Sequence, residues 1–388
     1  MIKPLAGTVV HNVKHSQYWT PFDAKYGNGG SDEFPFRYTV EKRISNNENI
    51  LRLKNKEVRI EPTNRCNYSC VMCPRDSHDR VQGVMPLPFF TSIVDEVSQM
   101  GASRVVLTNF GEPFLDPGLE DKIFYCTQKN ISTYVVTNAS RLYDSSKAKF
   151  AEHYGNISKI EAAIHAGLKE LRLSFYGTTK ETYESIMKGG KYEQVRDNIL
   201  KLIELRKKLN IKGISPTRNV EVLLPEISIY YLDLPQNKNS IQEFLDFTKD
   251  LADYIEVWKP HNFGLGNENI YRDTTDDSLL KSCGRPANGP IQINWQGIVV
   301  PCCYDYNQSV PLGNAALQTI EEILRGEPYQ ELKRCHKKNT FECVPYCNRC
   351  DQLREHSDAV ILTTNAIHSG KSADHIVRCT NTQPAVVM

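Results

Sequence analysis

The cysteines constrain this chain more than any other feature: twelve are present, and ten fall into two groups instead of spreading along the sequence. Cys66, Cys70 and Cys73 share one short loop, while Cys283, Cys302, Cys303, Cys335, Cys343, Cys347 and Cys350 gather toward the C-terminus. Clustered thiols at short spacings are metal-site spacing. The first residues include no apolar stretch of signal-peptide length, so a reducing, cytoplasmic compartment is expected, where structural disulfides do not persist and grouped thiols serve metals or redox chemistry. Cys126, inside a helical pattern, reads instead as a small buried hydrophobe.

Two partner classes are excluded at the same level. The formal charge is +1, from 47 basic and 46 acidic residues with no long block of either sign, so the basic footprint of a nucleic-acid binder is missing. No run reaches the roughly 18 apolar residues that mark a membrane span.

Residues 1–55 are polar, with clusters such as Gly27-Asn28-Gly29-Gly30, and read as an N-terminal extension. From there, β-branched runs alternate with amphipathic segments. Val58–Thr63, Arg104–Phe110, Thr133–Thr137, Leu171–Tyr176, Val220–Leu224 and Tyr254–Trp258 read as strands, and Leu87–Met100, Leu119–Lys129, Tyr192–Asn210 and Ser240–Ala252 as helices. Repeated βα units predict an α/β fold with a parallel sheet, either doubly wound or a partial barrel. In both, ligands bind where the strands end, which is where the first cysteine loop begins. Residues 56–260 are assigned to this domain, 261–353 to a smaller cysteine-rich domain and 354–388 to a tail.

The loop reads Glu61-Pro-Thr-Asn-Arg-Cys66-Asn-Tyr-Ser-Cys70-Val-Met-Cys73. Three thiolates are one short of what a four-iron cluster takes, which leaves one iron open to an exogenous group. A structural zinc site is the alternative; it needs a fourth close ligand, for which His78 is the nearby candidate. The C-x3-C-x2-C loop after a first strand resembles the radical S-adenosylmethionine superfamily, which implies a partial (β/α)6 TIM-like barrel. It also implies a [4Fe-4S] cluster on Cys66, Cys70 and Cys73, S-adenosylmethionine chelated to the open iron, and reductive release of a 5′-deoxyadenosyl radical. Met72 takes the place of the family's aromatic residue beside the adenine. Asn109-Phe110-Gly111-Glu112-Pro113 resembles the GGEP segment with Phe110 for the first glycine, which gives Gly111 and Glu112 a role at the cofactor's amino group. The same resemblance places Asn138 and Ser174 at its ribose and carboxylate.

In the second group, Cys283, Gly297 and Cys302 followed by Cys347-x2-Cys350 resemble the SPASM/Twitch extension of these enzymes. The longer cysteine run of full SPASM domains is not reproduced, so the shorter form implies one auxiliary [4Fe-4S] cluster on Cys283, Cys302, Cys347 and Cys350, with Cys303 or Cys343 as substitutes. A zinc ribbon is the alternative for these thiols. The resemblance implies an electron donor such as flavodoxin or ferredoxin and hydrogen abstraction from a substrate. A small sugar- or cyclitol-like molecule is favoured, with two-electron oxidation through the auxiliary cluster. Epimerisation by a thiol of Cys303, Cys335 or Cys343, peptide modification, and a scaffold without such chemistry are the alternatives. His261 and Arg285 are candidate base or substrate contacts.

Overall fold

The computed structural model describes residues 50–264, 280–344, 346–353, 360–364, 377–380 and 383–386. The Gly27–Gly30 cluster and most of the N-terminal extension lie outside them. Six parallel strands follow one another in the sheet in chain order: β1 (Glu57–Ile60), β2 (Arg104–Leu107), β3 (Ser132–Thr137), β4 (Glu170–Ser174), β7 (Glu226–Leu232) and β8 (Tyr254–Trp258). Helices Leu87–Gln99, Leu119–Gln128, Lys159–His165, Tyr192–Leu209 and Ile241–Thr248 lie between consecutive members. This is the expected partial (β/α)6 barrel.

The strands alternate in a way that separates two environments. Val58 and Ile60, Leu171 and Leu173, and Ile227 and Ile229 are buried in one core with the helix residues Phe89, Ile93, Ile123 and Ile199. Their neighbours Glu57 and Arg59, Glu170 and Arg172, and Ser228 and Tyr230 line a cavity shared by all six strands. A barrel interior is ordinarily filled by branched apolar side chains; here it is polar, and the hydrophobic core lies outside it.

The expected fifth strand is corrected. Glu221–Leu223 (β6) pairs antiparallel with Lys212–Ile214 (β5) in a separate two-stranded ribbon, and Val220 is exposed. The barrel strand is β7, whose alternation buries Ile227, Ile229 and Tyr231 on the helix side. Val220–Leu224 has the β-branched composition of a strand without a second buried face.

The cysteine-rich region joins the same sheet. Ile291–Ile293 (β9) pairs parallel with β1, and Ile298–Val300 (β10) and Gly313–Asn314 (β11) extend that edge antiparallel. The expected turn at Gln296-Gly297 is present, with Gly297 at φ +87°. At the opposite edge Val360–Thr363 (β12) pairs antiparallel with β8, followed by Val377–Thr380 (β13) and Gln383–Val386 (β14). The expected tail thus supplies sheet. No helix among the described residues is long and apolar enough to cross a membrane.

Candidate active site

Beyond β1 the chain is held by Glu61, whose wholly buried carboxylate accepts Arg80 Nη1 and Nη2 at 2.8 and 2.7 Å. The same carboxylate accepts the backbone N–H of Trp295 at 3.2 Å and of Phe110 at 3.4 Å. Arg80 and these N–H groups hold its carboxyl below the usual range against the opposing effect of burial. One side chain therefore ties together the ends of β1, β2 and β9. Asn64 adds a second clamp, donating to Val81 O and accepting Gly83 N at 2.8 Å.

The cysteine loop then packs on the segment after helix Lys180–Ile186. Ser69 N and Val71 N donate to Lys188 O and Ile186 O, and the Cys70 and Met187 sulfurs stand 3.6 Å apart. Burial is the main cause that pushes all three thiols up, Cys73 to about 12, and Cys70 is raised further by Cys73 and Cys66. Three half-buried sulfurs that disfavour one another's charge suit a cationic metal centre, which supplies the charge their thiolates lack. Met72, between them, is partly buried against the core.

Gly-Glu-Pro is fitted to this loop and is no ordinary turn. A Cβ on Gly111 would stand 2.1 Å from Thr63 O and 2.9 Å from Arg65 O, and Glu112 N donates to Arg65 O at 2.8 Å. The Glu112 carboxylate accepts Thr137 Oγ1 at 2.7 Å, Asn138 N at 2.8 Å and Phe114 N at 3.0 Å. Three internal donors leave one of its roughly four acceptor sites open, on Oε2, and the same bonds position Asn138 beside the Gly111 backbone. Asn138 Nδ2 donates to Asn67 Oδ1 at 3.2 Å, which brings the end of β3 to the cysteine loop. Ser174, closing β4, adjoins Tyr176, whose phenol is also influenced by Arg172, Cys70 and Cys73. Phe110, the departure from glycine, packs its ring on His78 at 4.9 Å and on Tyr306 at 6.2 Å. His78 is thereby committed to an aromatic stack, and burial lowers its pKa to about 4.

The lumen cavity has a volume of about 220 Å³. Most of its charges are paired: Glu57 accepts Arg59 at 2.7 Å and Arg104 at 3.1 Å, Glu170 accepts Arg104 at 2.6 Å, and Glu226 accepts Arg218 at 2.6 Å.

The C-terminal thiols gather in one cluster, of which Cys303 is linked to a lumen-lining residue. Cys350 is buried with Tyr304, Phe341 and Leu353 in a small cluster, against which Cys283, Cys302, Cys303 and Cys347 pack. Burial raises Cys302 and Cys347 well above the usual thiol range and Cys350 to about 12. Cys347 is raised further by Cys302, Cys350 and Cys283, so the four sulfurs share one neighbourhood. Cys303 receives a hydrogen bond from Arg59 Nη1 at 3.6 Å, and Arg59 lines the lumen. His261 Nε2 and the Tyr304 hydroxyl lie 2.8 Å apart, and Arg285 stacks over the Tyr304 ring at 4.9 Å. His261 and Arg285 thus belong to the thiol site and not to the cavity wall. Cys335, on helix Glu327–Lys338, and Cys343 are bonded to each other, so the donor and ligand roles expected of them require that bond to be reduced.

Residues 60–221 match the family model of the radical SAM superfamily, and residues 283–351 match the SPASM model, an iron-sulfur cluster-binding domain. The chain belongs to the radical SAM superfamily. Relatives include the tungsten-containing aldehyde ferredoxin oxidoreductase cofactor-modifying protein of Pyrococcus furiosus, 22% identical, with 79% of this chain and 90% of the relative covered. The probable GTP 3′,8-cyclase of Methanocaldococcus jannaschii is 24% identical, with 72% and 97% covered. Among solved structures, Streptococcus suis SuiB bound to its precursor peptide SuiA shares the fold at a TM-score of 0.54 and 15% identity, covering 79% of this chain and 71% of that one.

This radical SAM enzyme therefore uses S-adenosylmethionine and a [4Fe-4S] cluster, and its SPASM domain implies auxiliary iron–sulfur centres. The sequence reading missed the charged lumen. Its signal was present in Glu-Val-Arg-Ile, Glu-Leu-Arg-Leu-Ser and Glu-Ile-Ser-Ile-Tyr, period-two alternation in strands that a parallel sheet would bury on both faces.

Proposed function

We propose that the chain abstracts hydrogen from a small polar substrate held in the barrel lumen and completes a two-electron oxidation through its C-terminal thiol site. Residues 56–260 form the radical-generating barrel and residues 261–353 the auxiliary domain in this reading. Cys66, Cys70 and Cys73 hold the first cluster, and Cys283, Cys302, Cys347 and Cys350 the auxiliary one. Bound S-adenosylmethionine, reduced by one electron from a flavodoxin- or ferredoxin-like donor, supplies a 5′-deoxyadenosyl radical that takes a hydrogen atom from the substrate.

The observation that carries the reading is Arg59, which lines the lumen and donates to Cys303 beside Cys302 at the same time. An electron leaving the lumen meets the auxiliary thiols one side chain away. His261, paired with the Tyr304 hydroxyl at 2.8 Å, stands beside the thiols and not on the cavity wall, so it takes the proton released with that electron only after the proton has left the lumen. Loss of one hydrogen atom, one electron and one proton converts an alcohol carbon to a ketone. The lumen volume of about 220 Å³ is below the roughly 300–1,000 Å³ of drug-sized ligand pockets, which favours a small molecule over a peptide.

Protein prepared without oxygen should hold about eight irons, two four-iron clusters, and dithionite with S-adenosylmethionine should release 5′-deoxyadenosine. Zinc in place of iron, or undiminished 5′-deoxyadenosine from the Cys66/Cys70/Cys73→Ala triple variant, would sink the proposal. Product formed in heavy water separates the fates: a ketone supports oxidation, whereas solvent deuterium at the reacting carbon supports an epimerase, with the Cys303 thiol, or that of Cys335 or Cys343 once reduced, as donor.

A further inference from the structure

One buried amide ties the barrel to the second thiol site. Asn262 lies just beyond β8 and is wholly buried. Its Nδ2 donates to Arg349 O at 2.8 Å, and its Oδ1 accepts Asp351 N at 3.1 Å and Gly264 N at 3.0 Å. A carbonyl facing one end of the amide and two N–H groups facing the other fix which end is oxygen. Neighbouring residues repeat the tie. The Tyr346 hydroxyl donates to Phe263 O and Tyr304 O, and a Cβ on Gly264 would stand 2.7 Å from the Tyr346 ring.

Two of these bonds fall on either side of one cysteine. Arg349 O belongs to the peptide group that precedes the Cys350 Cα, and Asp351 N to the one that follows it. Cys350 is extended, at φ −79° and ψ 130°, between the short helical turns Cys347–Arg349 and Asp351–Leu353. In an extended residue the preceding C=O and the following N–H lie on one side, which is how one residue of a parallel ladder bridges its partner. A single amide can therefore meet both. With the two peptide planes held, and with Cys350 N donating to Cys347 O at 3.0 Å, the backbone torsions of Cys350 are set. What remains to its thiol is rotation about the Cα–Cβ bond.

We infer that Asn262 is the positioning residue of the auxiliary cluster, aiming Cys350 and holding that cluster in a fixed place against β8. The inference rests on the reading of Cys350 as an auxiliary ligand. The first cysteine loop takes no part in these contacts, since its backbone N–H groups run to Ile186 O and Lys188 O. Loss of the Asn262 amide should therefore disturb one cluster and spare the other.

The anaerobic, cluster-loaded full chain tests it through two readouts, the loss of iron to the chelator bathophenanthroline and the reduction potential of each cluster. The first cluster is recognised by the change that S-adenosylmethionine makes in its paramagnetic spectrum. Asn262→Ala should lose the auxiliary irons at least tenfold faster than the parent. It should also shift that cluster's reduction equilibrium at least tenfold, about 59 mV for one electron, with the first cluster unchanged in both readouts. Asn262→Asp keeps an acceptor for Asp351 N and Gly264 N and should lose auxiliary iron at a rate between those of Asn262→Ala and the parent. An unshifted auxiliary potential in Asn262→Ala, or release of both clusters together in either variant, overturns the inference; the second result would make Asn262 a support of the whole fold. If Asn262→Ala does not fold, Asn262→Asp decides alone: faster loss from the auxiliary cluster only supports the inference, and parent-like loss overturns it. A parent chain with about four irons instead of about eight defeats the auxiliary reading and the inference with it, whereas about eight irons and an indifferent Asn262→Ala defeat the inference alone.

Discussion

At the residue scale, the buried ionisable groups divide into those that are paired and those that are not. Glu61 and Arg80 form a bidentate pair with almost no exposure, and removing one member leaves the other's charge buried, which typically costs about 3–5 kcal/mol. Arg80→Ala should therefore lower the unfolding free energy by roughly that amount, read from denaturant melts, and should loosen the cysteine loop with it. An Arg80→Ala protein as stable as the parent would show that Glu61 is held by the backbone N–H groups alone. Glu120 is the contrasting case. Burial pushes its carboxyl up to about 7, Ser146 donates to one oxygen at 3.3 Å, and the other has no partner. The folded state thus favours the protonated form, so the stability this group contributes is full below the ordinary value of 4.5 and is lost as pH rises through about 7. Glu120→Gln should remove that slope and stabilise the chain at pH 8, by on the order of 3 kcal/mol at most, with little gain at pH 4.5. Melting temperatures across that range decide it. Neither residue was marked by the sequence, because burial and pairing are set by contacts between distant segments. The cysteines were legible because the chemistry of a thiol trio needs only local spacing.

At the scale of elements, four of the six barrel strands carried enough β-branched and apolar residues to be placed within a few positions, and Tyr254–Trp258 was placed outright. The fifth was displaced to Val220–Leu224 because composition marks a strand but not its partner; pairing with β4 and β8 is what makes Glu226–Leu232 the barrel member. The Gly-Glu-Pro turn shows how much an element can depend on one missing atom. Gly111 lies so close to Thr63 O and Arg65 O that a methyl group at 2.1 Å must force the two loops apart. A shift of about 1 Å in a positioned site can cost on the order of 100-fold in rate, so Gly111→Ala should lower 5′-deoxyadenosine formation by about that factor. Iron content and circular dichroism measured alongside separate a displaced loop from a lost cluster or a lost fold. Activity within twofold of the parent would mean that the loop absorbs the methyl group without moving the site.

At the scale of the whole molecule, the SPASM region and the barrel are not two bodies joined by a linker. β9 lies beside β1 in the same sheet, and Trp295 donates its N–H to Glu61. The Trp295 indole fills the space over Gly83, where a Cβ would stand 2.4 Å from the ring. Gly297 is seated likewise against Phe89 of the first barrel helix. The same contacts that bring the second thiol group to the lumen therefore complete the barrel edge that carries the first. A chain ending at Gly264 would leave β1 as an open edge, with Val58 and Ile60 beside it and Glu61 short of one donor; exposed edges of that kind pair with other chains. Such a truncation should aggregate instead of yielding a soluble barrel with one cluster. Trp295→Ala in the full chain should lose about 3–5 kcal/mol while remaining folded, because β9 still covers the edge. Soluble yield and circular dichroism of the two proteins test this coupling. A soluble, helical truncation that still binds S-adenosylmethionine would show that the barrel folds alone, and that the C-terminal domain meets the substrate cavity without being needed to build it.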